Sequence, residues 1–189
     1  MNRIEALVRQ YEQFVSLPWE RGLPPSQRVW FAVYDKQDER RLRARVGEFE
    51  LAAKKAGHGW DMVNVTDIFA GWMAANDYCE DYFAEPEYLD QMALRNFEAS
   101  VQGILLQALQ KPEAGEASVV AILGVACLFG FTKVSKLVKD VEGRVRGRLL
   151  VFFPGEHEDG NYRLLDARDG WNYMAVPITA HRSGVGHAC

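Results

Sequence analysis

The sequence predicts an α/β fold: a mostly parallel central sheet with helices on both faces and a C-terminal antiparallel hairpin. Three observations carry this. The runs VWFAVYD, WDMVNVT, SVVAIL and RLLVFF are short, apolar and rich in β-branched or aromatic residues, as buried strands are. Between them lie segments with apolar residues every three or four positions, the spacing of amphipathic helices. Strands that alternate with helices build βαβ units, whose strands run parallel.

The elements follow in order. Asn2 with Glu5 has the pattern of a capping box, and Ile4, Leu7, Val8, Tyr11, Phe14 and Val15 keep helical spacing. This helix is expected to stop before Pro18, and LPWERGLPPSQ, with Pro18, Pro24 and Pro25, reads as a linker or wrapping arm. Val29–Asp35 is a strand. Residues 37–56 form a helix whose Leu42, Val46, Phe49 and Ala53 share a face, with Gly57 as its C′ residue. A strand over Trp60–Thr66 precedes a short helix through Ile68, Phe69, Trp72 and Met73. NDYCEDYFAEPEYLDQ then carries six acidic residues and no basic one. A long helix is expected over 87–110, a buried strand at SVVAIL, a helix over Thr132–Val141 and a buried strand at RLLVFF. EHEDGN reads as a turn, and YRLLDA and YMAVPI as closing strands linked by ARDGWN. The expected organisation is an N-terminal helix and Pro-rich arm (1–28), one α/β domain (29–179) and a loose tail (180–189).

Composition bounds the function. With 189 residues, 48% of them hydrophobic, the chain can bury a real core. A formal charge of −4 gives no global basic field for nucleic acid. No apolar run has the length of a membrane span, and MNRIEALVRQ is charged and amphipathic, unlike a secretory leader. Three cysteines without metal-ligand spacing suit reduced thiols, so a cytoplasmic protein is expected.

Recognisable chemistry is sparse. Asp35, Thr66, Asp67, Pro154, Gly155 and Asp166 lie at strand ends, where α/β folds place ligands, but polar caps also sit there. GVACLFGFTKVS fails as a phosphate loop: five residues separate Gly124 from Gly130, and Lys133 does not follow the glycine. No serine has the flanking pattern of a nucleophile elbow, and no histidine has metal spacing. The expectation is therefore no catalytic residue, no cofactor and no metal. An alternative would build a divalent-metal hydrolase on Asp166 and Asp169.

Two surface candidates stand out. The segment YRLLDARDGWNY places Arg163, Asp166, Arg168, Asp169, Trp171, Asn172 and Tyr173 together. The expectation is a corner pinned by Arg–Asp pairs and capped by Trp171 and Tyr173, or a docking face, since such residues anchor interfaces. Lys133, Lys136, Arg144 and Arg146 form a local basic patch of candidate phosphate contacts. The acidic run at 77–90 would repel nucleic acid or dock a basic partner.

The block VSKLVKDVEGRVRGRLLVFFPGEHEDGNYRLLDARDGWNYMAVPI resembles the BrxB family of bacterial BREX phage-defence systems. The likeness lies in a strand ending FFPG, a YRLLDARDGWNY-like segment and a closing apolar strand, and it extends from about Val29 to Ile178. The resemblance implies a nucleotide-binding-like architecture without a working P-loop. It also implies a non-catalytic role in antiviral defence, as a scaffold or regulatory subunit for sibling proteins, with PglZ or BrxC expected as partners. The competing expectation is a DNA-contacting accessory protein using the patch between Lys133 and Arg148.

Overall fold

In the computed structural model, residues 2–167 and 170–180 are described. Val29–Tyr34 (β1) is buried at all six positions. Its side chains alternate: Val29, Phe31 and Val33 enter one core, and Trp30, Ala32 and Tyr34 the other. Such two-sided burial needs parallel neighbours covered by helices. Gly59–Asn64 (β2), Ser118–Leu123 (β3), Arg148–Glu158 (β4) and Val176–Ile178 (β7) complete the parallel sheet in the order β2-β3-β4-β1-β7. Phe31 lies beside Val151 of β4 and Pro177 of β7, and Val151 beside Ile122 of β3.

Helices Arg3–Val15 (α1) and Glu39–Lys55 (α2) cover one face, where Leu7, Tyr11, Leu42 and Phe49 pack on Trp30 and Phe152. The α1 helix thus shares a layer with α2, and it starts at the expected capping box. Asn2 Oδ1 accepts from the Ile4 amide (3.2 Å), while the Asn2 amide donates to Glu5 (3.1 Å). This bond, with the Arg45 guanidinium, holds Glu5 below the usual carboxylate pKa against the effect of burial.

Tyr11 is fully buried, its ring 5.0 Å from Phe49, and its hydroxyl has no hydrogen-bond partner among the described residues. Burial accordingly pushes its phenol pKa up. An unpaired buried hydroxyl costs free energy, so Tyr11→Phe is expected to leave stability unchanged or raise it by up to about 1 kcal/mol. Urea unfolding checks this, and a clear loss would mean that the hydroxyl is satisfied.

Ile68–Ala74 (α3) and Cys79–Ala84 (α4) lead into Gln91–Gln110 (α5), which with Val134–Val141 (α6) covers the other face. There Phe97, Val101 and Leu137 meet Phe31, Ile122 and Phe153. Two helices start later than the spacing predicts. Asp90 accepts from the Met92 and Ala93 amides (2.8 and 2.9 Å), so α5 starts at Gln91 rather than Glu87. Asp35 accepts from Gln37 (2.9 Å), and a 3₁₀ turn over Lys36–Asp38 precedes α2. Gly57, at φ +83°, closes α2 as expected: its amide reaches Lys54 O, and that of His58 reaches Ala53 O.

The expected C-terminal antiparallel pair is present, but its strands are not those expected. EHE is not turn but strand: β4 runs to Glu158 and pairs antiparallel with Asn161–Leu164 (β5) across a tight turn, with Asp159 and Gly160 both at positive φ. On its other side β5 pairs with Trp171–Asn172 (β6), from the segment expected to link the closing strands. YMAVPI contributes β7, which joins β1 in parallel instead of closing a hairpin. Both sheet edges are short or charged, with three residues in β7 and an Asp61–Lys111 ion pair (2.7 Å) at β2.

Candidate functional site

After β1 the chain crosses to the α2 face, while after β4 it turns onto the α5–α6 face. The carboxyl ends of β1 and β4 therefore flank a topological switch point, where open α/β sheets place ligands. A crevice of about 470 Å³ lies there, lined by Asp35, Lys36, Asp38, Glu156, His157 and Asp166 among others. Phosphate binding would use the free amides at the start of α2. Here that position carries the chain's own carboxylates. Asp35 accepts from the Gln37 amide and from Arg3 (3.4 Å), and Asp38 is 4% exposed with Arg41 at 2.6 Å. Glu39 accepts from Tyr34 (2.5 Å) and Arg43 (2.7 Å), and Arg43 continues to Thr66 (2.9 Å). An arriving phosphate would meet negative charge where the helix dipole should welcome it. Burial lowers the His157 pKa, opposed by the charge of Asp159. Among the described residues no group of three or more His, Cys, Asp or Glu is placed to hold a metal ion.

Two members of the predicted corner, Arg168 and Asp169, lie outside the described residues. For the others the expected Arg–Asp pairing is corrected. Arg163 pairs with Glu156 (3.5 Å), directly opposite it on β4, and Asp166 pairs with Lys36. All four side chains are well exposed, so these pairs contribute little. Trp171 and Tyr173 are half-buried and point inward, with rings 5.9 and 6.1 Å from Phe31. Tyr173 donates to the Glu142 carboxylate, which with burial raises its phenol pKa. Of this group, Arg163, Asp166 and Asn172 face solvent. Trp171 and Tyr173 pack against the core as partly buried side chains.

The basic patch also divides. Lys133, at the start of α6, lines a groove with Phe129 and Trp171, whereas Arg146, beyond the other end of α6, lines a separate pocket with Arg148. Lys136 is paired with Glu98 of α5, and Arg146 donates to the carbonyls of Leu109 and Lys111. Lys133 and Arg144 are exposed. Glu98 also accepts from Thr132 (2.6 Å).

Burial works to raise the Glu98 pKa, but the bonds from Lys136 and Thr132 outweigh it and leave the carboxyl below its usual value. Its contribution is complete above the ordinary carboxylate range and is lost as pH falls through the lowered value. Glu98→Gln is expected to cost about 1 kcal/mol at neutral pH and less in acid. Melting curves across that range check it, and a pH-independent difference would contradict it.

A third surface has both charge and exposed apolar area. Within the fifteen residues from Tyr78 to Met92, four large side chains stand out in solvent: Tyr78 (62%), Phe83 (73%), Tyr88 (56%) and Met92 (72%). Asp77, Glu80, Asp81, Glu85, Glu87 and Asp90 are interleaved with them. The 3₁₀ turn Pro86–Tyr88 and the α4 helix bury no residue. Sequence reasoning registered the acidity but not the exposed aromatics. The available signal was an aromatic-acidic alternation that fits neither helical nor strand periodicity.

Among the described residues no helix is long and apolar enough to cross a membrane. No protein-family model, curated protein or solved structure matches the chain.

Proposed function

We propose that this protein is a non-catalytic component of a BREX-type phage-defence system that docks on a sibling protein, PglZ or BrxC, through residues 77–92. The observation that carries this reading is the exposure of Tyr78, Phe83, Tyr88 and Met92 within an acidic surface. Aromatic residues and Met are enriched at interfaces, and a large exposed apolar patch on a globular domain marks an interaction site. The surrounding carboxylates select a partner whose complementary face is basic and apolar. The carboxylates at the switch-point crevice support a nucleotide-binding-like architecture that does no phosphate chemistry. The C-terminal resemblance supplies the defence context.

Co-expression with each sibling singly, followed by sizing chromatography at low and high salt, tests the reading. A stoichiometric complex that persists at low salt and weakens at high salt is expected. If no sibling co-elutes, the docking reading fails. Co-elution of DNA in its place would favour phosphate contacts from Lys133 and Arg144.

A further inference from the structure

The amino ends of the strands, opposite the switch-point crevice, hold a buried cation that makes no ion pair among the described residues. Arg148 opens β4 and is only 5% exposed. It donates to Gly147 O (3.0 Å) and Glu20 O (3.4 Å), and its guanidinium lies 4.7 Å over the Trp19 ring and 5.6 Å from Trp30. Trp19 in turn stacks on His58 at 3.7 Å and 9°. The aromatic faces offset part of the desolvation, but they supply no negative charge. Burying a guanidinium without a carboxylate is unfavourable, and buried charges are ordinarily paired.

The surroundings add positive charge. Arg148 lines a pocket of about 380 Å³ together with Arg21, Arg28 and Arg146, against Glu20 and Glu116. Among the described residues none of these four arginines makes an ion pair. Arg28 is oriented by the carbonyls of Leu23 (3.1 Å) and Val145 (3.0 Å), and Arg146 by those of Leu109 and Lys111. Backbone acceptors thus aim the guanidiniums without neutralising them. The pocket also gathers unsatisfied polar atoms. Of the five buried side-chain N or O atoms without a partner among the described residues, three belong to its lining: Trp19 Nε1, His58 Nδ1 and Arg148 Nε. Of these, Trp19 Nε1 and Arg148 Nε are donors, whereas His58 Nδ1 is left as an acceptor because Nε2 donates to Val15 O (3.1 Å).

We propose that this pocket binds a phosphate-class oxyanion, with Arg148 as its buried counter-charge and Arg21, Arg28 and Arg146 as the donors at its mouth. Guanidinium forks match phosphate oxygens in geometry, and their charge-assisted bonds are the strong ones. Burial and the nearby Arg28 charge depress the Arg148 pKa, opposed by the charge of Glu20. The site is independent of the docking surface and stands or falls separately from it.

Calorimetric titration at constant ionic strength with inorganic phosphate, and with a nucleoside monophosphate, tests the proposal. Saturable binding of phosphate at millimolar concentration is expected, with affinity reduced about tenfold in Arg146→Gln and in Arg21→Gln, each removing one charge-assisted contact. Both residues are exposed, so these variants keep the fold even if Arg148→Gln does not. Equal affinity for the two probes identifies the phosphoryl group alone as the ligand. Tighter binding of the nucleoside monophosphate adds a nucleoside contact to the same site. Absence of phosphate binding, or binding unchanged in both variants, overturns the proposal.

Discussion

Gly155→Ala is expected to lower stability by about 3 kcal/mol or more, at the upper end of the range for overpacking. Gly155 sits where β4 leaves the parallel sheet and pairs with Leu164 of β5. A Cβ built on it would lie 2.0 Å from Arg163 O and 2.9 Å from the Phe153 ring. Backbone cannot give way by that much without parting β4 from β5. Parting them would pull the buried Tyr162 off Phe31, 4.6 Å away, and break its hydroxyl bond to Ala175 O (2.9 Å). For a chain of this size the loss corresponds to a fall of about 10 °C in Tm. Gly143→Ala is the control, since a Cβ there meets nothing within 4 Å. Thermal melts of the two variants decide, and a Gly155→Ala protein that melts with the wild type would refute the tight β4–β5 contact.

The second large effect is on binding. Phe83→Ala and Met92→Ala remove side chains that are mostly in solvent, so each should change stability by no more than about 0.5 kcal/mol. Aromatic anchors at interface centres typically cost about 2 kcal/mol or more when truncated, roughly thirtyfold in affinity. Phe83→Ala should therefore weaken the complex by about that factor while its melting curve stays unchanged. Reversing charge with Glu80→Lys and Asp81→Lys should slow association and flatten its salt dependence. Affinity that is indifferent to all these changes would remove residues 77–92 from the interface.

Much of the architecture was legible because parallel strands are buried on both faces. The apolar runs of β1 and β3, buried at every position, and the first half of β4 could hardly be anything else. Caps were legible where a side chain bonds its own neighbours, as at Asn2, but Asp90 shows that the same bonds set a start that periodicity misplaces. Pairing across the sheet was not legible: β7 is three residues long, and its partner β1 lies far away in sequence. The surface candidates suffered from the same distance. Lys136 is neutralised by Glu98, thirty-eight residues earlier, and Trp171 finds its place against Phe31 of β1. The arginine pocket joins Arg21 and Arg28 to Arg146 and Arg148 from opposite ends of the chain, a proximity that no local pattern encodes.

The most direct test is hydrogen–deuterium exchange on the complex with whichever sibling co-elutes. The docking reading predicts protection concentrated in residues 77–92, with the switch-point crevice and the β5–β6 corner unchanged. Protection centred instead on residues 161–173, with 77–92 exchanging as in the free protein, would contradict it.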